Sequence, residues 1–451
     1  MIIDRNVRPG GLRALIDRLF SFSAEKIVSI EKSWVPGSSA PVFTAGGKYT
    51  SRGWTEWTQG FQFGSAVLQF DAENEPKFLE IGRSRTVEFM ASHVTHFGVH
   101  DHGFNNISTY GNLLRLMHEG RIETNPWEQR FYEMALKCSG AVQAARWSNT
   151  KDGGYIYSFN GPHSLFVDTI RTIRSLSVGH QLGHALLGEN DRKISLLDRM
   201  LQHAQSTARY SIYYGEGRDI YDIRGRAVHE CLFNMNDGNF RAPSTQQGYS
   251  PFSTWTRGLA WAICGFPEEL EYLETVPDSE LEAHGGRAAV VAWMRKAAEA
   301  TCDFYIDHAT ASDGIPYWDT GAPNLHKLGD WQSRPAEPYN DYEPVDSSAA
   351  AIAAQGLLRL GRYLKNDRYW QAGLTVARSL FAEPYLSTSA EHQGLILHSV
   401  YHRPNGWDAM APGAKVPSGE SSMWGDYHAR ELGLYLKRII DGGKYLTFYG
   451  R

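Results

Sequence analysis

The 451-residue chain is poor in cysteine, in long apolar runs and in clustered positive charge. Its four cysteines (Cys138, Cys231, Cys264 and Cys302) include no C-x-x-C pair. All lie in segments that read as helical or apolar, so a disulfide framework is not expected. Buried free thiols in a reducing compartment, the cytoplasm, are expected instead. No stretch approaches the roughly 18 apolar residues of a membrane span. Residues 1 to 22 interleave Arg and Asp with Leu12, Leu15, Ile16, Leu19 and Phe20, which reads as an amphipathic helix and not as a secretory leader. A formal net charge of −5 with scattered Lys and Arg offers no basic stripe, so nucleic acid is not an expected partner. No Pro-rich or Gly/Ser-rich linker divides the chain, and one domain over residues 1–451 is expected.

What is present is helical periodicity and a surplus of rings. Aromatic residues make up 12%, with 13 Trp and 23 Tyr; such rings pack cores and also stack on sugar faces. Apolar residues recur at three- and four-residue spacing over 74–93, 125–145, 191–210, 287–308, 347–364 and 368–381, which predicts helices there. A polar-Gly-aromatic or apolar segment recurs as Asp152-Gly153-Gly154-Tyr155, Asn236-Asp237-Gly238-Asn239-Phe240, Asp313-Gly314-Ile315-Pro316-Tyr317 and His392-Gln393-Gly394-Leu395. The interval of about 80 residues suits a helical hairpin plus its connecting loop. Such units must stack to bury their apolar faces, and a chain of this length holds about six of them. The fold class expected is all-α, an (α/α)6 toroid.

Five segments carry a family resemblance when taken together: Trp57-Thr58-Gln59-Gly60-Phe61; His100-Asp101-His102-Gly103-Phe104; Val167-Asp168-Thr169; Gln247-Gly248-Tyr249-Ser250 continuing through Ser253 to Trp261; and Asp346-Ser347-Ser348 with the late Gly425-Asp426-Tyr427. In this order, over roughly residues 50 to 440, the chain resembles the unsaturated glucuronyl hydrolases of glycoside hydrolase family 88. The unsaturated rhamnogalacturonyl hydrolases of family 105 are slightly further away. The resemblance implies that Asp101 and Asp168 are the catalytic carboxylates and that the substrate is an oligosaccharide ending in an unsaturated uronic acid. It further implies that Asp168 donates the proton and activates water while Asp101 orients the substrate and shifts its neighbour's pKa. Trp57, Trp255 and Trp261 match stacking residues, Arg257 and His229 match polar substrate contacts, and His100, Phe159 and Gln247 are expected at the substrate as well.

The chemistry explains the need for two acids. Polysaccharide lyases leave a C4=C5 double bond beside the ring oxygen, a vinyl ether that hydrates by protonation at C4 and addition of water at C5. One carboxyl group must keep a proton while the other stays ionised. The hemiketal then opens and releases the neighbouring sugar, with no cofactor and no metal required. A guanidinium at Arg257 would suit the uronate carboxylate.

The chain departs from the family's pattern in three places. Phe159 stands where a Trp is usual, Arg171 and Arg174 bring two cations within a turn of Asp168, of which Arg171 is expected to depress its pKa, to recruit an extra anionic group or to face solvent, and Gln246 and Leu259 replace a His and a Gln. The spacing His180-Gln181-Leu182-Gly183-His184 imitates a zinc-protease helix but lacks the general-base Glu. The set His93, His96, His100 and His102 reads either as metal ligands or as residues that orient carboxylates. Competing functions are a family 105-like activity on pectin fragments, a lyase that creates the double bond, and a sugar-binding scaffold with inert acids.

Overall fold

A helix with apolar residues on one face needs a partner, and one that is apolar all round needs partners on every side. The computed structural model, which describes residues 1–35, 39–52 and 56–450, sorts its helices by that rule. In chain order they are α1 (Arg13–Ser33), α2 (Gln59–Glu73), α3 (Pro76–Phe89), α4 (Ala91–Val94), α5 (His102–Asn106), α6 (Asn112–His118), α7 (Pro126–Ala145), α8 (Thr169–Thr172), α9 (Arg174–Gln181), α10 (Leu196–Ser206), α11 (Thr256–Leu273), α12 (Asp278–Leu281), α13 (Gly286–Phe304), α14 (Ser347–Leu364), α15 (Asp367–Leu380) and α16 (Met423–Ile440).

Helix α14 is buried without interruption from Ser347 to Gly361, whereas α7 buries one stripe through Tyr132, Leu136, Ser139 and Gln143. The first kind forms an inner ring: α2, the α5–α6 segment joined by a π-helical turn at Ile107–Gly111, the α8–α9 segment, α11, α14 and α16. Each contacts the next, and α16 returns to α2, so the ring closes. Helices α3, α7, α10, α13, α15 and α1 pack outside as hairpin partners of the inner segments in that order. The toroid is therefore closed by its two chain ends, with α1 backing α16.

Helix starts follow the capping rules. Asn125 accepts from the N–H groups of Trp127 and Glu128, with Pro126 in the first turn of α7; Ser195 accepts from Asp198 N–H at the start of α10. Two expected helices are shorter than their periodicity. The 74–93 stretch breaks at Met90. The 191–210 stretch begins as a strand, because Asn190 and Asp191 take positive φ and turn residues 185–187 back on 193–195. Strand content is small, and its three-stranded sheet lies beside the site: Phe166 pairs with Glu230 and Cys231 with Pro243. Of the recurrent glycines, Gly153, Gly238 and Gly314 take positive φ in turns, the conformation glycine adopts without steric penalty. These turns lie in the long connections from outer to inner helices.

Candidate active site

Outer-to-inner connections bring the chain back to one end of the ring, so the N-termini of the inner helices converge there. Trp57 precedes α2, His100 and Asp101 precede α5, Asp168 precedes α8, Trp255 and Arg257 flank the start of α11, and Trp424 lies in the first turn of α16. A cavity of about 360 Å³ opens among them. Of the expected site residues, Trp57, His100, Asp101, Phe159, Asp168, Gln247, Trp255, Arg257 and Trp261 all line it. His229 stands one layer back, its ring against Phe166 and Trp255. Its Nδ1 accepts from the N–H groups of Gln246 and Gln247.

Asp101 and Asp168 occupy N-cap positions, yet neither side chain caps its helix. Both turn to the cavity while 6% and 7% exposed. His100 lies between them, its Nε2 3.7 Å from Asp101 Oδ1 and 3.5 Å from Asp168 Oδ2. The grouping is held from behind. Gln143 Nε2 and Thr172 Oγ1 donate to the His100 carbonyl at 2.8 and 2.7 Å, and Val167 N–H donates to the His229 carbonyl at 2.9 Å, fixing the turn into Asp168.

The surroundings split the two acids. Burial, reinforced by the negative charge of Asp168, pushes the Asp101 carboxyl up to about 6 against the pull of His100 and Arg146. Burial acts on Asp168 in the same direction, but its close approach to His100, and the charge of His229, outweigh it and hold Asp168 below the usual range. Burial pulls His100 down, and the two aspartates more than compensate, leaving it raised. Below about pH 6 the free pocket thus keeps a proton on Asp101 and a carboxylate at Asp168, the divided state that acid–base chemistry asks for. One donor atom from each of His100, Asp101 and Asp168 lies within 4.8 Å of the others. Among the described residues this trio alone has the spacing to share a cation.

The tryptophans form the rest of the wall. Trp57 packs on Trp424 with ring centroids 4.9 Å apart, and Trp261 on Phe104 at 4.6 Å. Phe159 lies nearly parallel to the His100 ring at 6.1 Å.

Two expectations, on Arg257 and on Arg171 with Arg174, need correction, and the histidine sets are resolved by their contacts. Arg257 reaches the cavity, but not as a free fork for a carboxylate. Its Nη1 donates to Asp346 Oδ2 at 3.2 Å and to the Val400 carbonyl, and its Nη2 donates to Gln247 Oε1 at 2.9 Å and the Tyr401 carbonyl at 2.7 Å. Trp255 and Trp424 cover the guanidinium at 4.6 and 4.8 Å. Arg257 is a strut that ties the 400–401 loop to α11 and α14. Arg171 and Arg174 are neither at the surface nor beside Asp168; both are fully buried and engage Glu268 and Glu431. The histidine sets do not gather either. His180 bonds Tyr272 and Glu280, and α9 ends before His184; His102 bonds Ser139 and the His96 carbonyl, leaving His100 alone against the acids.

Asp346 and Asp426, both quoted from the motifs, have framework roles. Asp346 accepts from Ser348 and Arg257, and Asp426 accepts from Tyr49, Leu395 and Ile396. Sequence reasoning missed Tyr401, His402, Asn405 and Trp407, which close one side of the cavity from an irregular loop. It also missed Glu56 and Asn160, although each adjoins a residue that was singled out.

No family model matches the chain. An unsaturated glucuronyl hydrolase from Bacillus sp. (strain GL1) is 26% identical over 408 residues, covering 88% of this chain and 90% of the relative. One from Formosa agariphila is 23% identical over 380 residues, covering 83% and 78%. The crystal structure of an unsaturated glucuronyl hydrolase specific for heparin superposes with a TM-score of 0.72 at 18% identity, over 97% of this chain and 100% of the other. That of the Bacillus enzyme gives 0.70 at 22%, over 97% and 98%. Over most of its length the chain is thus similar in sequence to unsaturated glucuronyl hydrolases, and it shares their helical fold.

Proposed function

We propose that this protein hydrates the C4=C5 double bond of an unsaturated uronic acid at the non-reducing end of an oligosaccharide, with Asp168 and Asp101 as the acid–base pair. The observation that carries the reading is the buried pair itself, two carboxyl groups flanking His100 on an aromatic cavity of sugar size, with surroundings that shift the two acids in opposite directions. Asp168 protonates C4 and then, as carboxylate, takes the proton of the water that adds at C5. Asp101 faces the positive charge that develops at C5 and the ring oxygen. The hemiketal so formed opens and frees the next sugar. Trp57 and Trp261 supply apolar faces for the ring, and Gln247 and Asn160 offer amides to its hydroxyls.

The start of α11 lies at the cavity through Trp255 and Arg257, and its positive dipole end favours an anionic sugar even though Arg257 is engaged elsewhere. The four cysteines are free, and no described helix is long and apolar enough to cross a membrane. The free cysteines support a place in the reducing cytoplasm, where imported lyase products would be consumed.

Incubation with a panel of lyase-generated unsaturated disaccharides tests the reading. Loss of the conjugated ultraviolet absorbance is the expected result. If the panel is left unbleached while saturated polymers gain absorbance, the protein is a lyase and the proposal fails.

A further inference from the structure

If Asp168 protonates C4, its resting state presents a problem, because in the free pocket Asp168 is the acid held low and Asp101 the one that more readily keeps a proton. The element between them offers the solution. We propose that His100 is a positioning residue that relays the Asp101 proton to Asp168 when substrate fills the cavity. This rests on the reading that the site hydrates an unsaturated uronate.

The geometry is that of a bridge. A single atom, His100 Nε2, lies within 3.5 to 3.7 Å of an oxygen on each acid. These separations are a few tenths of an ångström beyond hydrogen bonds, and such contacts tighten when a substrate closes the site. The ring is 1% exposed. Its Nδ1 and Nε2 make no hydrogen bond among the described residues, and Asp168 Oδ1 is likewise buried without a partner. Phe159 and Phe166 wall the ring, and the doubly bonded His100 carbonyl fixes its backbone.

The other titratable and charged groups near the relay do not compete for the proton. Arg146, at the end of α7, is spent on the carbonyls of Phe97, Tyr157 and Ser158. Burial holds His203 of α10 at about 3 and His229 at about 4, so both are neutral. His203 Nδ1 accepts from Ile156 N–H at 3.0 Å. Glu56, from the segment before α2, adds negative charge on the Asp101 side. His100 is the histidine whose proton affinity the two acids raise.

The step balances. Starting from the protonated ring, the Nε2–H proton passes to Asp168 Oδ2, and the Nε2 lone pair so freed then takes the Asp101 proton, so the imidazolium ends as it began. Asp168 is now the neutral acid and Asp101 the carboxylate. An incoming uronate drives the exchange, since its negative charge and the loss of water disfavour the anion at Asp168. Asp168 then protonates C4 and recovers a proton from the attacking water, and the relay in reverse restores the resting pair.

The test combines turnover with a measurement that needs none. H100Q keeps an amide donor near the Nε2 position but cannot accept and pass on a proton, and H100A leaves space for added imidazole. Bleaching by H100Q should fall by ~10²-fold in kcat with KM nearly unchanged, and imidazole should partly restore H100A. In the free proteins, carboxyl-carbon NMR with 13C-labelled aspartate, assigned through D101N and D168N, should show the Asp168 midpoint rising by about a pH unit or more in H100Q. Wild-type kcat and pH profile in H100Q, or an unmoved Asp168 midpoint in a folded H100Q, overturns the relay. If wild type bleaches no disaccharide, the functional reading falls, while the carboxyl titration still decides whether His100 sets the charge of Asp168.

Discussion

At the scale of residues, the two aspartates should respond alike to replacement in activity and differently in stability. In D168N the amide can neither donate to C4 nor deprotonate water, and turnover should drop by the ~10²–10⁴-fold typical of lost acid–base catalysis. D101N should be similarly slow, with unsaturated disaccharides still bound by either variant, as direct calorimetry would register. Stability separates them. The folded-state pKa of Asp101 lies above its ordinary value, at about 6 against 3.8. Its favourable contribution is therefore complete below about pH 4 and lost as pH rises through 6. At neutral pH the charged form is a burden of up to about 3 kcal/mol, which the amide removes, so D101N should melt higher than wild type at pH 7.5 and no higher at pH 4. Asp168 is depressed; its ionised form contributes above the ordinary range, and D168N should not gain. Thermal scans of both variants at the two pH values check the pattern, and an Asp101 variant no more stable than wild type at pH 7.5 contradicts the assignment of charge.

At the scale of elements, glycines let the inner helices come close enough to bring their leading residues together. Gly60 of α2 lies against the backbone of Asn105 in α5, Gly103 of α5 against Thr172 at the end of α8, Gly265 of α11 against Ile170 in α8, and Gly356 of α14 against Ile263 in α11. A Cβ at Gly103 would overlap the Thr172 backbone, a clash no side-chain rotation relieves. Since Asp101 leads into α5 and Asp168 into α8, G103A must push the two acids apart. We expect a loss of stability of roughly 1–3 kcal/mol together with a fall in kcat, read by thermal melting and the bleaching assay; unaltered activity would mean that the acids tolerate a different spacing.

The same elements show what was legible in the sequence. Helices α7, α14 and α15 carry uninterrupted periodicity and begin at or within a residue of the expected positions. The inner segments α5–α6 and α8–α9 do not, because π-helical or turn residues interrupt them where His100, Asp101 and Asp168 must be presented. Those acids were found through short motifs instead. Tyr401, His402, Asn405 and Trp407 lie in a loop with neither periodicity nor a quoted motif, so only the folded chain brings them to the cavity. Arg171 was misjudged because its neighbour in sequence is an acid, whereas its partners Glu268 and Glu431 come from α11 and α16.

At the scale of the whole molecule, that last network crosses the ring. Arg171 from α8 bonds Glu268 of α11 at 2.7 Å and Glu431 of α16 at 2.9 Å, and Arg359 of α14 reaches Glu268 and Glu271. The C-terminal segment covers this end: Leu446 accepts from Arg359, Tyr445 donates to Glu271, and Phe448 lies under Arg174. Four of the six inner segments are thereby joined through charges that have left water. Such an arrangement is costly to form and more costly to break, because removing one partner strands the others. In R171M, Glu268 and Glu431 lose their nearest common cation, and the deficit at pH 7.5 should reach about 3–5 kcal/mol.

The sign of its pH dependence follows from the glutamates. Without Arg171 their folded-state pKa values rise above those of the unfolded chain, so their contribution is present at low pH and lost as pH increases. R171M should therefore approach wild-type stability as pH falls from 7.5 toward 5. A replacement that merely disturbed packing would leave a gap independent of pH. Denaturant unfolding of wild type and R171M at both ends of that range distinguishes the two: a constant gap would show that this network contributes to the closed ring by shape and not by charge.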